Sequence, residues 1–275
     1  GSWIFSLQRN AGLPVLVRVQ LQAGQPHWQA TFYNDTETIE VEKLQVSADS
    51  VHFDMPVFES SFRLKIVNPQ QLAGSWTKGI STGMQVWQVQ AQVGNALPIP
   101  LPVGLPAFDV SGRWAFSFQR TDGSWRPAIG ELKQTGSRLT GTIINPSGDY
   151  RFLEGEVRGS AFYLTAFDGA HSYAFTANIS NDSTIANGIF FSGNAPGDAL
   201  KEKKNAQAKL QVPDSLEGLK TGQKRLDFVF PDLDSNLVSI NDSRFKNKVT
   251  IVQLMGSWCP NCMDETAFLS EYYNK

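Results

Sequence analysis

The chain is short of cysteine, of histidine and of net charge. Its 275 residues include 2 cysteines, 3 histidines and 4 methionines. A disulfide scaffold would spread cysteines along the sequence, whereas both here fall between Cys259 and Cys262. A pair that close suits redox chemistry or half of a metal site. Lys and Arg total 24 against 26 Asp and Glu. Without a basic stripe, nucleic acid is not expected as the main partner. No run approaches the roughly 18 apolar residues that a membrane-spanning helix needs. No signal peptide is visible. The chain opens directly on a strand-like run at Trp3, an opening compatible with a leader cut off ahead of Gly1. Helical periodicity of useful length is also missing before residue 200.

What is there is β pattern. The chain is 41 % hydrophobic, enough to bury real cores, and long enough for roughly two domains of about 100–200 residues. Val17, Val19 and Leu21 alternate with Arg18, Gln20 and Gln22, the period of a half-buried strand. Phe116 and Phe118 alternate with Ser117 and Gln119. Such runs recur through residues 1–193, separated by turn residues such as Gly24-Gln25-Pro26, Asn145-Pro146-Ser147-Gly148 and Asp168-Gly169.

The β region repeats itself. Gly1-Ser2-Trp3-Ile4-Phe5-Ser6-Leu7-Gln8-Arg9 matches Gly112-Arg113-Trp114-Ala115-Phe116-Ser117-Phe118-Gln119-Arg120 in register, and Leu72 to Trp76 echoes Ile185 to Ile189 more weakly. The expectation is two antiparallel meanders, over 1–93 and 112–193. The stretch 94–111, with Pro98, Pro100, Pro102 and Pro106, is expected as a linker or strand-free crossover. Gly-x-Trp opening onto a meander resembles lipocalin-like and avidin-like barrels; two β-sandwich halves are the alternative. Residues 194–225, with Lys201-Glu202-Lys203-Lys204, read as a short solvated helix or a linker.

The apolar pattern resumes at Leu226. Phe228 to Phe230 and Leu237 to Ile240 read as short strands around Asp234-Ser235-Asn236. Val249 to Met255 is nearly all apolar, like a strand buried on both faces. Gly256-Ser257-Trp258 turns the chain into Cys259-Pro260-Asn261-Cys262, and a helix-like stretch follows. Cys259 then sits at a helix start, where free N–H groups and the positive dipole end stabilise a thiolate. Pro260 suits the first helical turn. One turn brings Cys262 back to resolve a mixed disulfide, and Trp258 shields one side. Cys262, Glu265, Phe268, Leu269 and Tyr272 share one helix face. On that face Phe268, Leu269 and Tyr272 read as core, and Glu265 either relays the proton of Cys262 or is simply a first-turn acid.

Other readings of the pair fare worse. Structural zinc needs four ligands, and His27, His52 and His171 lie far back in the β region. A c-type haem needs His where Met263 stands. No cofactor and no metal are expected. In the β region Asp149, Arg151, Asp168 and His171 are the polar candidates for a functional cluster; against that, Asp168 at a hairpin turn is favoured by turn geometry alone, Arg151 can pair with Asp149, and a His beside a turn is usually structural or solvated. Trp3, Trp76, Trp87, Trp114 and Trp125 read as core or barrel plugs rather than ligand cages.

Gly256-Ser257-Trp258-Cys259-Pro260-Asn261-Cys262-Met263-Asp264-Glu265-Thr266 resembles the active-site stretch of TlpA-type thiol-disulfide oxidoreductases, and so does the spacing Cys-x-x-Cys-x-x-Glu. Phe228 to Leu233 and Phe245 to Val249 resemble their opening hairpin and the lysine turn before the central strand. Gly141 to Gly155 and Phe167 to His171 resemble, more weakly, the β-rich region that precedes the redoxin in one branch of that family. The resemblance implies a thioredoxin-like α/β fold from residue 226, reductase activity on a protein disulfide, an envelope electron donor and a periplasmic or other cell-envelope location, with membrane anchoring by a leader ahead of Gly1. Two departures stand out: Gln253-Leu254-Met255-Gly256 replaces the usual Asn-Phe-Trp-Ala, and the sequence ends soon after the first helix. The chain is therefore expected to be a fragment, with activity in the full-length protein and possible self-association through the incomplete redoxin segment. The contrasting expectation is a binding module whose redoxin is an accessory. A long apolar cavity in the β region favours binding, and a filled interior favours the reductase.

Overall fold

The computed structural model describes all residues except 11, 25, 211–218, 220, 221 and 275. Gln25 of the first expected turn and residues 211–218, 220 and 221 of the expected 194–225 linker thus lie outside the described residues. The chain divides into two compact units, Gly1–Leu210 and Gln211–Lys275.

The first unit is two closed antiparallel barrels. In the first, β1 (Ser2–Gln8), β2 (Val15–Gln22), β3 (Trp28–Asn34), β4 (Glu37–Val46), β5 (Ser50–Asp54), β6 (Ser60–Asn68), β7 (Gln71–Ile80) and β8 (Gly83–Val93) pair in sequence order. The wall closes where Trp3 to Gln8 pair with Val93 to Gln88. The second contains β9 (Gly112–Gln119), β10 (Trp125–Thr135), β11 (Arg138–Asn145), β13 (Leu153–Arg158), β14 (Ala161–Phe167), β15 (Ser172–Asn181), β16 (Thr184–Ser192) and β17 (Asp198–Lys204), with the two-residue β12 (Gly148–Asp149) on the margin of β11. β17 pairs back onto β9 and closes it. Closure removes the unpaired edges that an open sheet or sandwich would leave.

The sequence repeat is a structural repeat. Trp3 and Trp114 both lie on the first strand of their barrel, flanked by the second strand and the last. Phe5 and Leu7 are fully buried, as Phe116 and Phe118 nearly are, so the inward phase is shared. Even the weaker echo holds topologically, since Leu72 and Ile185 are each buried on the seventh wall strand. There the second copy carries a bulge: two residues of β16 lie between the pairs Ile185–Glu202 and Gly188–Leu200, and Asn187 takes a left-handed φ of 53°.

One expectation is corrected. Lys201 to Lys204 form neither helix nor linker but the last strand of the second barrel, so that barrel runs past residue 193 to Lys204. Leu200 and Glu202 face inward while Lys201 and Lys203 stay exposed. A charged strand whose lysines project to solvent looks like a solvated run, and its period of two spans too few residues to stand out. The Pro-rich crossover is strand-free apart from one bridge, Pro106 to Gly159. It is packed, though: Leu97 and Ile99 join the first barrel's buried cluster and Val110 the second's.

The barrels share a strand's worth of core. β14 is buried on both faces: Phe162, Leu164 and Ala166 belong to the second barrel's cluster, while Tyr163 and Phe167 belong to the first's. The Tyr163 hydroxyl donates to the Pro14 carbonyl, and Thr165 Oγ1 donates to the Leu16 carbonyl at 2.7 Å. Glu154 accepts from Arg18 across the junction at 2.6 Å and from Arg138 at 3.1 Å. The β14–β15 hairpin then enters one end of the first barrel. There the Gly169 carbonyl accepts from Ser60 Oγ and, at 3.1 Å, from Trp76 Nε1, and the Ala170 carbonyl accepts from Lys78 Nζ at 2.8 Å. Gly169 has a φ of 101°, and a Cβ there would stand 3.0 Å from Met55. Glycine is what fits that tip.

Candidate redox site

The second unit builds its site from a hairpin, a loop and a helix. β18 (Val229–Pro231) and β19 (Leu237–Ser239) pair antiparallel, close to the two strands expected. The turn between them is organised by Asp232, whose carboxylate accepts from the Asp234 and Asn236 amides at 3.0 and 2.9 Å. α1 spans Pro260–Tyr273.

The expected thioredoxin-like α/β fold is not evident. Among the described residues α1 is the single α-helix, and Val249 to Met255 pairs with no strand. Val249 is 97 % exposed and Leu254 90 %. A buried central strand needs neighbours on both edges, and three-residue strands supply none here. The helix face expected as core is corrected likewise: Phe268 and Tyr272 are exposed, stacked on each other with ring centres 6.2 Å apart, and α1 buries no residue.

The dithiol itself is assembled as its spacing requires. Cys259 is the N-cap of α1, in extended geometry, and Pro260 occupies the first turn, where no amide donor is lost. The Cys262 amide donates to Cys259 Sγ at 3.4 Å, and the two sulfurs lie 2.6 Å apart as free thiols. Partial desolvation, with the sulfur contact to Cys262, pushes the Cys259 thiol above its ordinary value, while the Cys262 amide pulls it down. The depression expected at a helix start is therefore outweighed. Trp258 is largely exposed, and its indole lies 2.6 Å from where a Gly256 Cβ would stand, so Gly256 makes room for the ring.

Glu265 is exposed and turned to Gln253, whose Nε2 donates to it at 3.0 Å and to the Cys262 carbonyl at 3.0 Å. Thr266 Oγ1 donates to the Cys262 carbonyl at 2.7 Å and lies 3.0 Å from Gln253 Oε1, an alternative acceptor. Gln253 thus ties the loop to the helix beside the second cysteine. The sequence marks Gln253 only as a departure from the resembled family's pattern. The available signal was a lone amide inside an otherwise apolar run.

The polar candidates of the β region are architectural. Asp168 is buried and accepts from the Ala170 and His171 amides at 2.9 and 2.6 Å and pairs with His171 Nδ1 at 2.9 Å. Burial alone would raise its pKa, but the His171 ring and these amides hold it below the ordinary carboxylate value. Asp149 accepts from the Arg151 amide at 2.9 Å, and the Arg151 guanidinium reaches Glu37 of the first barrel. These residues form and seat the plug hairpin and the junction. Trp76, Trp87 and Trp114 are buried core, Trp3 is half-buried, and Trp125 is exposed beneath Lys201 Nζ at 4.3 Å from its ring centre. No protein-family model matches the chain, and searches of curated proteins and of solved structures return no match.

Proposed function

We propose that the chain carries a thiol-disulfide exchange site at Cys259 and Cys262, acting as a reductase of protein disulfides within the full-length protein. The observation that carries this is the placing of two free thiols in contact at a helix start, with Cys259 as N-cap and Pro260 following it. Filling of the first barrel by Phe5, Phe32, Phe62 and Trp76 favours this reading over a long ligand cavity. The TlpA resemblance adds a cell-envelope setting and an envelope dithiol as electron donor.

The chemistry balances. The Cys259 thiolate attacks one sulfur of a substrate disulfide; that S–S bond breaks, a mixed disulfide forms, and the departing sulfur takes up a proton. The Cys262 thiol then loses its proton and attacks Cys259 Sγ, releasing the second substrate thiol. The substrate gains two electrons, and Cys259–Cys262 becomes a disulfide that a protein dithiol must reduce. Gln253 and Thr266 hold the Cys262 carbonyl and fix that turn of the helix while Cys262 is the attacker. Glu265, which accepts from the same Gln253 amide that holds the Cys262 carbonyl, is the carboxylate assigned to take its proton.

The test is trapping. Cys262→Ser should accumulate a mixed disulfide with a model protein disulfide, visible as a mass shift, and Cys259→Ser should not. Trapping through Cys262 in Cys259→Ser, with none in Cys262→Ser, would reverse the roles; no reaction in either, in the wild type included, would sink the reading.

A further inference from the structure

We infer that the open end of the first barrel is a binding cup for an uncharged, apolar small molecule. One end of that barrel is closed by the Asp168–His171 hairpin, and its middle is filled by Phe5, Phe32 and Phe62, each without exposed surface. The opposite end holds a cavity of about 430 Å³, within the range of small-molecule sites. An eight-stranded barrel is wide enough to be filled by side chains or to hold one small ligand. This one does the first at its centre and leaves room at its mouth.

The chemistry of the wall selects the ligand. Every strand of the barrel contributes an apolar residue: Trp3, Leu21, Trp28, Leu44, Val51 and Leu72 from β1, β2, β3, β4, β5 and β7, with β6 and β8 completing the ring. Among the described residues no lining side chain is charged, and Asn68 is the one polar side chain. The Gly1 nitrogen, also at the cup, donates to the Leu21 carbonyl. A charged ligand would lose its hydration there without a partner, so an uncharged one is favoured. Leu21, Leu44, Val51 and Leu72 are at most 6 % exposed, whereas Trp28 is 41 % exposed and Val46 38 %. The apolar surface thus descends from an accessible lip to a buried floor. That depth fits a small molecule entering from one side, rather than a flat face for a protein partner.

The probe is N-phenyl-1-naphthylamine, a neutral apolar fluorophore, titrated into the whole chain. The expected result is saturable enhancement with transfer from tryptophan. Trp28→Ala and Val46→Glu, both at the exposed lip, should each weaken binding tenfold or more at unchanged melting temperature. Val103→Glu, on the exposed crossover, and Leu254→Glu, in the cysteine-bearing unit, should bind as the wild type. Absence of saturable binding would overturn the inference. So would loss of binding in Leu254→Glu with retention in the lip variants, which places the probe on the second unit. Sedimentation covers the remaining case: self-association lost in Trp28→Ala would give the lip to a second copy and overturn a small-molecule cup. The inference goes beyond the redox reading, and neither cysteine variant bears on it.

Discussion

Glu202 is a carboxyl group inside the second barrel, and its removal should stabilise the protein in a way that depends on pH. It faces inward from β17, opposite Ile185 on one side and Phe116 on the other, and is 6 % exposed. Neither carboxyl oxygen has a hydrogen-bond partner among the described residues. Burial pushes its pKa from an ordinary 4.5 up to about 8. A carboxyl with a raised folded-state pKa binds its proton more tightly when folded. The folded state therefore suffers no penalty below about pH 4.5, loses stability at roughly 1.4 kcal/mol per pH unit between the two pKa values, and levels off above about pH 8. At pH 7 that amounts to about 3 kcal/mol, a large part of a typical domain's net stability. Glu202→Gln keeps the shape and cannot ionise. Urea denaturation followed by tryptophan fluorescence, at pH 5, 7 and 8.5, should give a gap between variant and wild type of under about 1 kcal/mol at pH 5 that widens to about 3 kcal/mol at pH 7. Taking the difference cancels every other titrating group. Parallel profiles, offset by a constant, would refute the reasoning, because a carboxyl ionised throughout or solvated in the fold has no reason to couple to pH there.

Other outcomes follow from the same geometry. Phe62→Ala, at the aromatic centre of the first barrel, should cost about 3–5 kcal/mol in denaturant titration. Thr165→Val removes one hydrogen bond between the barrels and should cost about 1 kcal/mol. Asp168, held below its ordinary pKa, contributes stability that is fully present above about pH 3.9 and lost as pH falls further; Asp168→Asn should flatten that acid limb in thermal melts. Iodoacetamide labelling of Cys259 should rise with pH to an inflection above the ordinary thiol value near 8.5, read by peptide-resolved mass spectrometry of the wild type. An inflection well below it would show that the helix start dominates after all.

The strands were legible where one face is dry and the other wet. Val17, Val19 and Leu21 announced β2 by alternation, and the matched runs at Trp3 and Trp114 announced the duplication. Closure into barrels was less legible, because the pairing of Trp3 with Val93 joins residues about as far apart as the copy allows. β14 reads Ala-Phe-Tyr-Leu-Thr-Ala-Phe without alternation, which is itself the trace of a strand covered on both sides, although nothing local says that the outer cover is the other barrel. Lys201 to Lys204 misled because lysines on the outside of a closing strand carry the same composition as a solvated helix. At the redox site the cysteine spacing, the proline and the helix were all readable, since they depend on adjacent residues. The strand status of Val249 to Met255 depends on distant partners, so its apolar run predicted a burial that this chain does not provide.

The buried β14 has a consequence for what counts as a part. Two copies of a meander suggest two modules that a cut at the prolines would free. Yet the first barrel draws Tyr163 and Phe167 into its core and has one end stoppered by Gly169 and Ala170, while among the described residues the second barrel's core receives no matching loan. The copies have become lender and borrower. Severing the chain between residues 94 and 111 should leave the first copy with an open end and an uncovered flank, so the smallest inheritable piece is the pair.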